Sequence, residues 1–184
     1  MSQEEYIANR CQLGDRNAQR QLYETYAGWL LGVCLRYVSD QATAEDLLHD
    51  GFVQVFTHFN QFRWQGEGSL KAWLFKVQQN ILLQHLRKQS TLHVLLSIDE
   101  NPQLAEEIPE PEDIHAIPRT ALMKMIRELP TGYRTVFNLF VIDGHSHREI
   151  AQLLGINEKS SASQLVHARR LLASKINAWR KENQ

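Results

Sequence analysis

Five side chains late in the sequence, Lys159, Ser160, Ser163, Gln164 and His167, recur at three- and four-residue steps and share one face if that stretch is helical. They offer an ammonium, two hydroxyls, an amide and an imidazole, groups that match the donors and acceptors on base edges. An amide can bond adenine at two points, which discriminates by about 1–3 kcal/mol. Arg148, Lys159, Arg169 and Arg170 lie around this face and suit phosphate oxygens, contacts that fix register without reading sequence. The alternative is a solvated polar stripe on an ordinary helical hairpin, and the small residues and basic charge here weigh against it. The chemistry on offer is recognition of nucleic acid.

Other reactive residues do not assemble into a site. Asp143, His145 and His147 cluster in a turn, but two histidines at i, i+2 without a third ligand do not make a metal centre. There is no phosphate-binding glycine loop and no nucleophile elbow. Cys11 and Cys34 fall outside metal-ligand spacing and read as buried thiols of a reduced protein. We therefore expect a protein that is not an enzyme and carries no cofactor.

The elements that must position the recognition face are legible from caps and periodicity. Ser146 and Glu149 form a capping box, and the helix they start stops at Gly155, a left-handed cap. Asn157 can cap the next helix, whose core face is Leu165, Ala168, Leu172 and Ile176. Two helices joined by so short a glycine turn predict a helix-turn-helix, which places the second helix in the major groove. Further helices are expected near residues 119–129 and 131–142. Towards the N-terminus, Asp15 caps a helix with Leu22, Tyr26, Trp29, Val33 and Tyr37 on one face. Asp40 caps another bearing Leu47, Leu48, Phe52, Val55, Phe56 and Phe59. A glycine-containing break at residues 63–69 ends in Ser69, read as the N-cap of a helix with Leu70, Trp73, Leu74, Val77 and Ile81. The stretch TLHVLLSI is ambiguous between helix end and strand.

Charge divides the chain into three. Residues 1–95 are neutral, residues 96–118 hold seven acids and no base, and residues 119–184 carry a net charge of +6. The acidic stretch has four prolines and reads as a linker, because few apolar groups offset its ordering entropy. The basic module has the electrostatic footprint of phosphate contact. With 43% hydrophobic residues, the rest can build folded cores. No apolar run is long enough to span a membrane, and the N-terminus lacks the pattern of a signal peptide. An all-α, monomeric, cytoplasmic protein of two helical domains is the expectation.

Two blocks resemble a known family. RYVSDQATAEDLLHDGFVQVFTHFNQF, followed by FRWQGEGSLKAWLFKVQQNILLQHLRK, resembles region 2 of bacterial sigma factors; LPTGYRTVFNLFVIDGHSHREIAQLLGINEKSSASQLVHARRLL resembles their region 4. Their order and separation are those of the extracytoplasmic-function type. The resemblance implies region 2 over residues 1–95, the acidic linker over 96–118, and region 4 over 119–184. It implies core RNA polymerase, promoter DNA and an anti-sigma factor as partners. Asp46, Leu47, Asp50, Phe52 and Val53 would meet the polymerase, although Leu47 and Phe52 fit core positions equally well. Arg63, Trp64, Lys71, Trp73, Lys76, Asn80 and Arg87 would melt and hold the minus-ten element. Cations that track phosphates and aromatics or amides that hold an unstacked base suit that task, with Trp64 the more exposed aromatic and Trp73 at an apolar position. Arg148, Lys159, Ser160, Ser163, Gln164, His167 and Arg170 would bind the minus-thirty-five element. Many members of the family carry basic residues where this chain has Gln164 and His167, which leaves its preferred bases open.

Overall fold

The computed structural model describes residues 2–88 and 117–183. The linker up to residue 116 and the TLHVLLSI stretch lie outside the described residues. Among those described, the regular structure is helical, and the chain divides into two compact units, Met1–His85 and Leu86–Gln184.

The first unit begins with α1 (Gln3–Gln12), α2 (Arg16–Tyr37) and α3 (Gln41–Thr57). A single 3-10 turn, Phe59–Gln61, and a glycine loop then lead into α4 (Ser69–Lys88). Asp15 caps α2 by accepting from the Asn17 and Ala18 N–H groups at 2.8 and 3.2 Å, and it also accepts from Arg10 Nε at 2.9 Å. The Ala18 amide, the Arg10 guanidinium and the Asn17 amide together hold its carboxyl below the usual range. Asp40 caps α3 through the Thr43 N–H and hydroxyl, both at 2.7 Å. Both caps act where their sequence positions place them.

The core stripe of α2 differs in part from expectation. Leu22, Val33 and Tyr37 are buried, but Leu30 and Cys34 complete the stripe, and Tyr26 and Trp29 sit at its margin. The two rings contact each other edge-on, with Trp29 also beside Phe75 of α4. Amphipathic rings suit such a margin, where a flat apolar face is covered and the polar edge stays wet. Burial pushes the Cys11 thiol up to about 11 and the Cys34 thiol up to about 12. Both remain protonated, inert packing groups at neutral pH.

The second unit runs through α5 (Arg119–Arg127), α6 (Thr131–Phe137), α7 (His147–Leu154) and α8 (Glu158–Asn183). Between α6 and α7 the backbone widens into a π turn, Asn138–Ile142, where the sequence pattern predicts regular helix. The Asp143 N–H reaches back to the Asn138 carbonyl, and the His145 N–H to that of Leu139, both at 2.9 Å. Gly144, at φ 77°, makes that reversal possible without a Cβ penalty.

Ile117, Met125, Ile126, Leu129, Ala168, Leu172 and Ile176 form the core that binds α5 to the second half of α8. Arg134 is buried beneath it. Its guanidinium donates to the Arg127 carbonyl at 2.6 Å and closes the C-terminal end of α5. Lys175 donates to Glu128 at 2.7 Å, tying α8 to the end of α5 and leaving the first half of α8 to meet α7.

Candidate nucleic-acid interface

The helix-turn-helix is built by local signals that agree with one another. Ser146 accepts from the Glu149 N–H at 3.3 Å while the Glu149 carboxylate accepts from the Ser146 N–H at 2.8 Å. α7 ends at Gly155, whose φ of 70° lets the Gly155 and Ile156 N–H groups both turn back to the Ala151 carbonyl. Asn157 then caps α8 by accepting from the Ser160 N–H at 2.6 Å. A further link crosses the motif: His147 Nδ1 lies 2.9 Å from the Ser161 hydroxyl, and the His147 ring stacks on Phe140 at 4.4 Å.

The phase of α8 requires a correction. Ser161, Gln164, Leu165, Ala168, Leu172 and Ile176 form the buried stripe, and Gln164 is only 1% exposed. Gln164, expected at a base edge, therefore points into the unit. It stands four residues before Ala168 and eight before Leu172, so the core phase carries it inward in spite of its polarity. His167 is half-buried and stacks on Tyr133 at 5.3 Å, at the rim of the open face. On α8 Lys159 and Arg169 are exposed, and Ser160, Ala162, Ser163, Val166 and Arg170 are half-buried outside the core stripe; Arg148 is exposed on α7. Ala162 and Val166 were not anticipated because apolar residues were assigned to the core. Their signal was the same phase: Val166 turns away from the Leu165–Ala168–Leu172 stripe, and Ala162 flanks it.

On the first unit, Leu47 and Phe52, expected at a partner contact, are also packed inward. Phe52 lies between Tyr23 at 4.7 Å and Phe56 at 5.8 Å. The period of α3 puts Ala44, Leu47, Leu48, Phe52 and Val55 on the core side, which leaves Asp46, Asp50 and Val53 exposed on the outside.

The minus-ten candidates are only partly brought together. Trp73 and Asn80 line one cleft of about 280 Å³ with Gln54, His58, Gln61 and Gln84. Lys76 is exposed one helical turn before Asn80. Trp73 is fixed against Phe59 and Phe62, with ring centroids 5.2 and 5.3 Å away. Lys71 sits elsewhere on α4, with its ammonium 4.8 Å over the Trp29 ring. Arg63 is exposed, but its guanidinium is tied to the carbonyls of Asn60 and Phe62 at 2.6 and 2.9 Å. Trp64 is half-buried rather than freely exposed, and Arg87 is exposed in the last turn of α4. Gln54, His58 and Gln61 escaped the sequence reading because α3 and the following turn meet α4 only in the fold.

Among the described residues no group of three or more His, Cys, Asp or Glu side chains could hold a metal ion. His147 serves the helix-turn-helix through Ser161 and Phe140. Burial pulls its pKa below the ordinary value of 6.5; Glu158 opposes that shift and Arg169 adds to it. The folded state thus favours the neutral ring, and stability is lost as pH falls through 6.5 towards the lowered folded value. We expect the melting temperature to fall between pH 7.5 and 5.5, and to fall less in His147→Gln. Equal slopes for the two proteins would remove His147 from this role.

A helix-turn-helix with an open, partly basic reading face, preceded by a separate helical unit bearing an amide-and-aromatic cleft, defines a DNA-binding transcription factor of two modules. Residues 22–91 match the family model described as sigma-70 region 2, and residues 119–172 match sigma-70, region 4. The chain is 27% identical over 169 residues to the ECF RNA polymerase sigma factor BldN of Streptomyces coelicolor, spanning 91% of this chain and 63% of that longer relative. It is 25% identical to the ECF RNA polymerase sigma factor SigM of Bacillus subtilis, over 85% of this chain and 94% of the relative. The sigma factor RpoE, solved with the anti-sigma factor NepR from Bartonella quintana, superposes with a TM-score of 0.50 at 21% identity, covering 86% and 96% of the two chains. That similarity speaks to the fold alone. The chain belongs to the sigma-70 family, in its extracytoplasmic-function branch, and is a transcription initiation factor rather than an enzyme. No helix among its described residues is long and apolar enough to cross a membrane.

Proposed function

We propose that this factor reads the minus-thirty-five element with the open face of α8 and holds the melted minus-ten element on α4 and the loop before it. The observation that carries this reading is the phase of α8, which leaves Lys159 exposed and Ala162, Ser163 and Val166 partly exposed outside the core stripe, on a helix-turn-helix whose turn is closed by Gly155. Lys159 and Ser163 supply hydrogen bonds to base edges, and Ala162 and Val166 supply the apolar contact that recognises a thymine methyl. Arg148, Arg169 and Arg170 supply phosphate contacts.

On the first unit, Trp73 and Asn80 face the strand, Lys76 and Arg87 neutralise its phosphates, and Arg63 and Trp64 belong to the capturing loop. Asp46, Asp50 and Val53 form the contact with core polymerase, where exposed acids set orientation and on-rate more than affinity. In this reading region 2 extends over residues 1–95 and region 4 over 119–184, with residues 96–118 between them. The protein works in the cytoplasm as a monomer held in check by an anti-sigma partner.

The test is to add the protein to bacterial core RNA polymerase with a pool of fragments from its own genome and to map the 5′ ends of the transcripts. Discrete starts that depend on the protein and share two upstream boxes are the expected result. Binding to duplex fragments without any new start would make it a simple DNA-binding regulator and undo the polymerase contact.

A further inference from the structure

The loop from Arg63 to Gly68 is fixed from outside by α1. Its last residue, Gly68, stands where the N-cap of α4 should be and has no side chain with which to cap. Ser69, expected to cap, is already inside the helix. Its hydroxyl is turned back to the loop instead, donating to the Gly66 carbonyl at 2.6 Å and accepting from the Gln65 N–H at 3.3 Å. The free amides of α4 are met by Glu4, far away in sequence. One carboxylate oxygen accepts from the Gly68 N–H at 2.7 Å, and the other from the Lys71 N–H at 3.2 Å. The same carboxylate is steadied by the Tyr26 hydroxyl at 3.4 Å. At the opposite end of the loop, Gln12 Nε2 donates to the Phe62 carbonyl at 2.8 Å. Glu4 and Gln12 lie at the two ends of one ten-residue helix and hold the two ends of one loop.

We propose that α1 is a strap that presets the loop for promoter opening, with Glu4 as its principal positioning residue and Gln12 as the second. The inference rests on the reading that this loop captures a promoter base. The loop contains two glycines with positive φ, Gly66 and Gly68, so its own backbone specifies little. A capturing loop that must first be ordered loses that ordering entropy from its binding, and a preset one does not. The carboxylate of Glu4 at the start of α4 supplies both the missing cap and a charge favoured at a helix N-terminus. Neither tether bonds to the exposed face of α3, so loss of the strap should appear at opening and not at core binding.

The experiment uses the full chain with core polymerase on a duplex promoter recovered by the transcript mapping above. It compares Glu4→Ala, Glu4→Gln, Gln12→Ala and Trp64→Ala for opening rate, core affinity and melting temperature. Glu4→Ala should slow opening about fivefold, the size of a lost cap, with core affinity unchanged. Gln12→Ala should act in the same direction. Glu4→Gln, which keeps an acceptor oxygen but not the charge, should fall between Glu4→Ala and the parent. If Trp64→Ala slows opening and Glu4→Ala does not, the strap is refuted and the loop reading stands. If neither slows opening, the loop reading fails and the strap falls with it. A Glu4→Ala defect matched by an equal loss of core affinity would also overturn the proposal, because it would make Glu4 a support of the whole unit.

Discussion

Val166→Glu should lower transcription from duplex promoters about 10- to 100-fold, since one or two base-edge contacts are each worth about 1–3 kcal/mol. The side chain is half-buried on α8, turned away from the buried Leu165–Ala168–Leu172 stripe. A carboxylate there removes an apolar contact and brings a negative charge into a groove lined with phosphates. Because Val166 is partly exposed, the substitution leaves the core of the second unit intact, and affinity for core polymerase should stay at the parent level. Gln164→Ala is the matched control. Its side chain is inside the unit, so it should lower the melting temperature while leaving the preferred promoter bases unchanged. A shift in base preference for Gln164→Ala, together with full activity for Val166→Glu, would place α8 about a quarter-turn from the phase described here.

These two residues show where the sequence was readable and where it was misread. Helix boundaries were legible because their signals are local: Asp15, Asp40, Asn157 and the Ser146–Glu149 box each act within three residues of where they stand. The inward position of Gln164 was legible too, from its spacing to Ala168 and Leu172, but polarity was taken to mean exposure. Buried polar side chains are tolerated when neighbouring groups satisfy them, and Ser161 on the same stripe has His147 as its partner. Leu47 and Phe52 were left open between core and partner for lack of such a phase argument, which the period of α3 then supplied. Other features could not be read along the chain at all. The cap that α4 receives from Glu4 and the cleft shared by Gln54, His58, Gln61, Trp73 and Asn80 depend on contacts between elements distant in sequence. The caps of a helix can be sought in its own flanks, but nothing in the residues around Gly68 points to α1.

The contact that sets α3 against α4 is of the same long-range kind, and its removal should give the largest change in stability. Gly51 lies in the middle of α3, where alanine would ordinarily gain about 1 kcal/mol of helix propensity. In this position a Cβ would fall 1.9 Å from Gln78 Oε1 and 2.8 Å from its Cδ. Gln78 is only 1% exposed, and its Nε2 donates to the Leu47 carbonyl at 2.8 Å, so the side chain cannot swing out to water. Overpacking of this kind costs about 1–3 kcal/mol, and breaking the buried hydrogen bond adds about 1–3 kcal/mol more. The propensity gain is therefore outweighed, and Gly51→Ala should destabilise the first unit by about 1–5 kcal/mol. Three of the four tryptophans, Trp29, Trp64 and Trp73, lie in that unit, so their fluorescence during urea denaturation reports on it. Gln78→Ala placed in the Gly51→Ala background removes the obstruction and should recover part of the loss. That coupling separates a steric clash from two independent defects. A Gly51→Ala protein as stable as the parent, or a double variant in which the two losses simply add, would show that Gln78 does not hold α3 and α4 in register. If the coupling is found, the exposed acids Asp46 and Asp50 of α3 and the exposed Lys76 and Asn80 of α4 are set relative to each other by one buried amide and the absence of one methyl group.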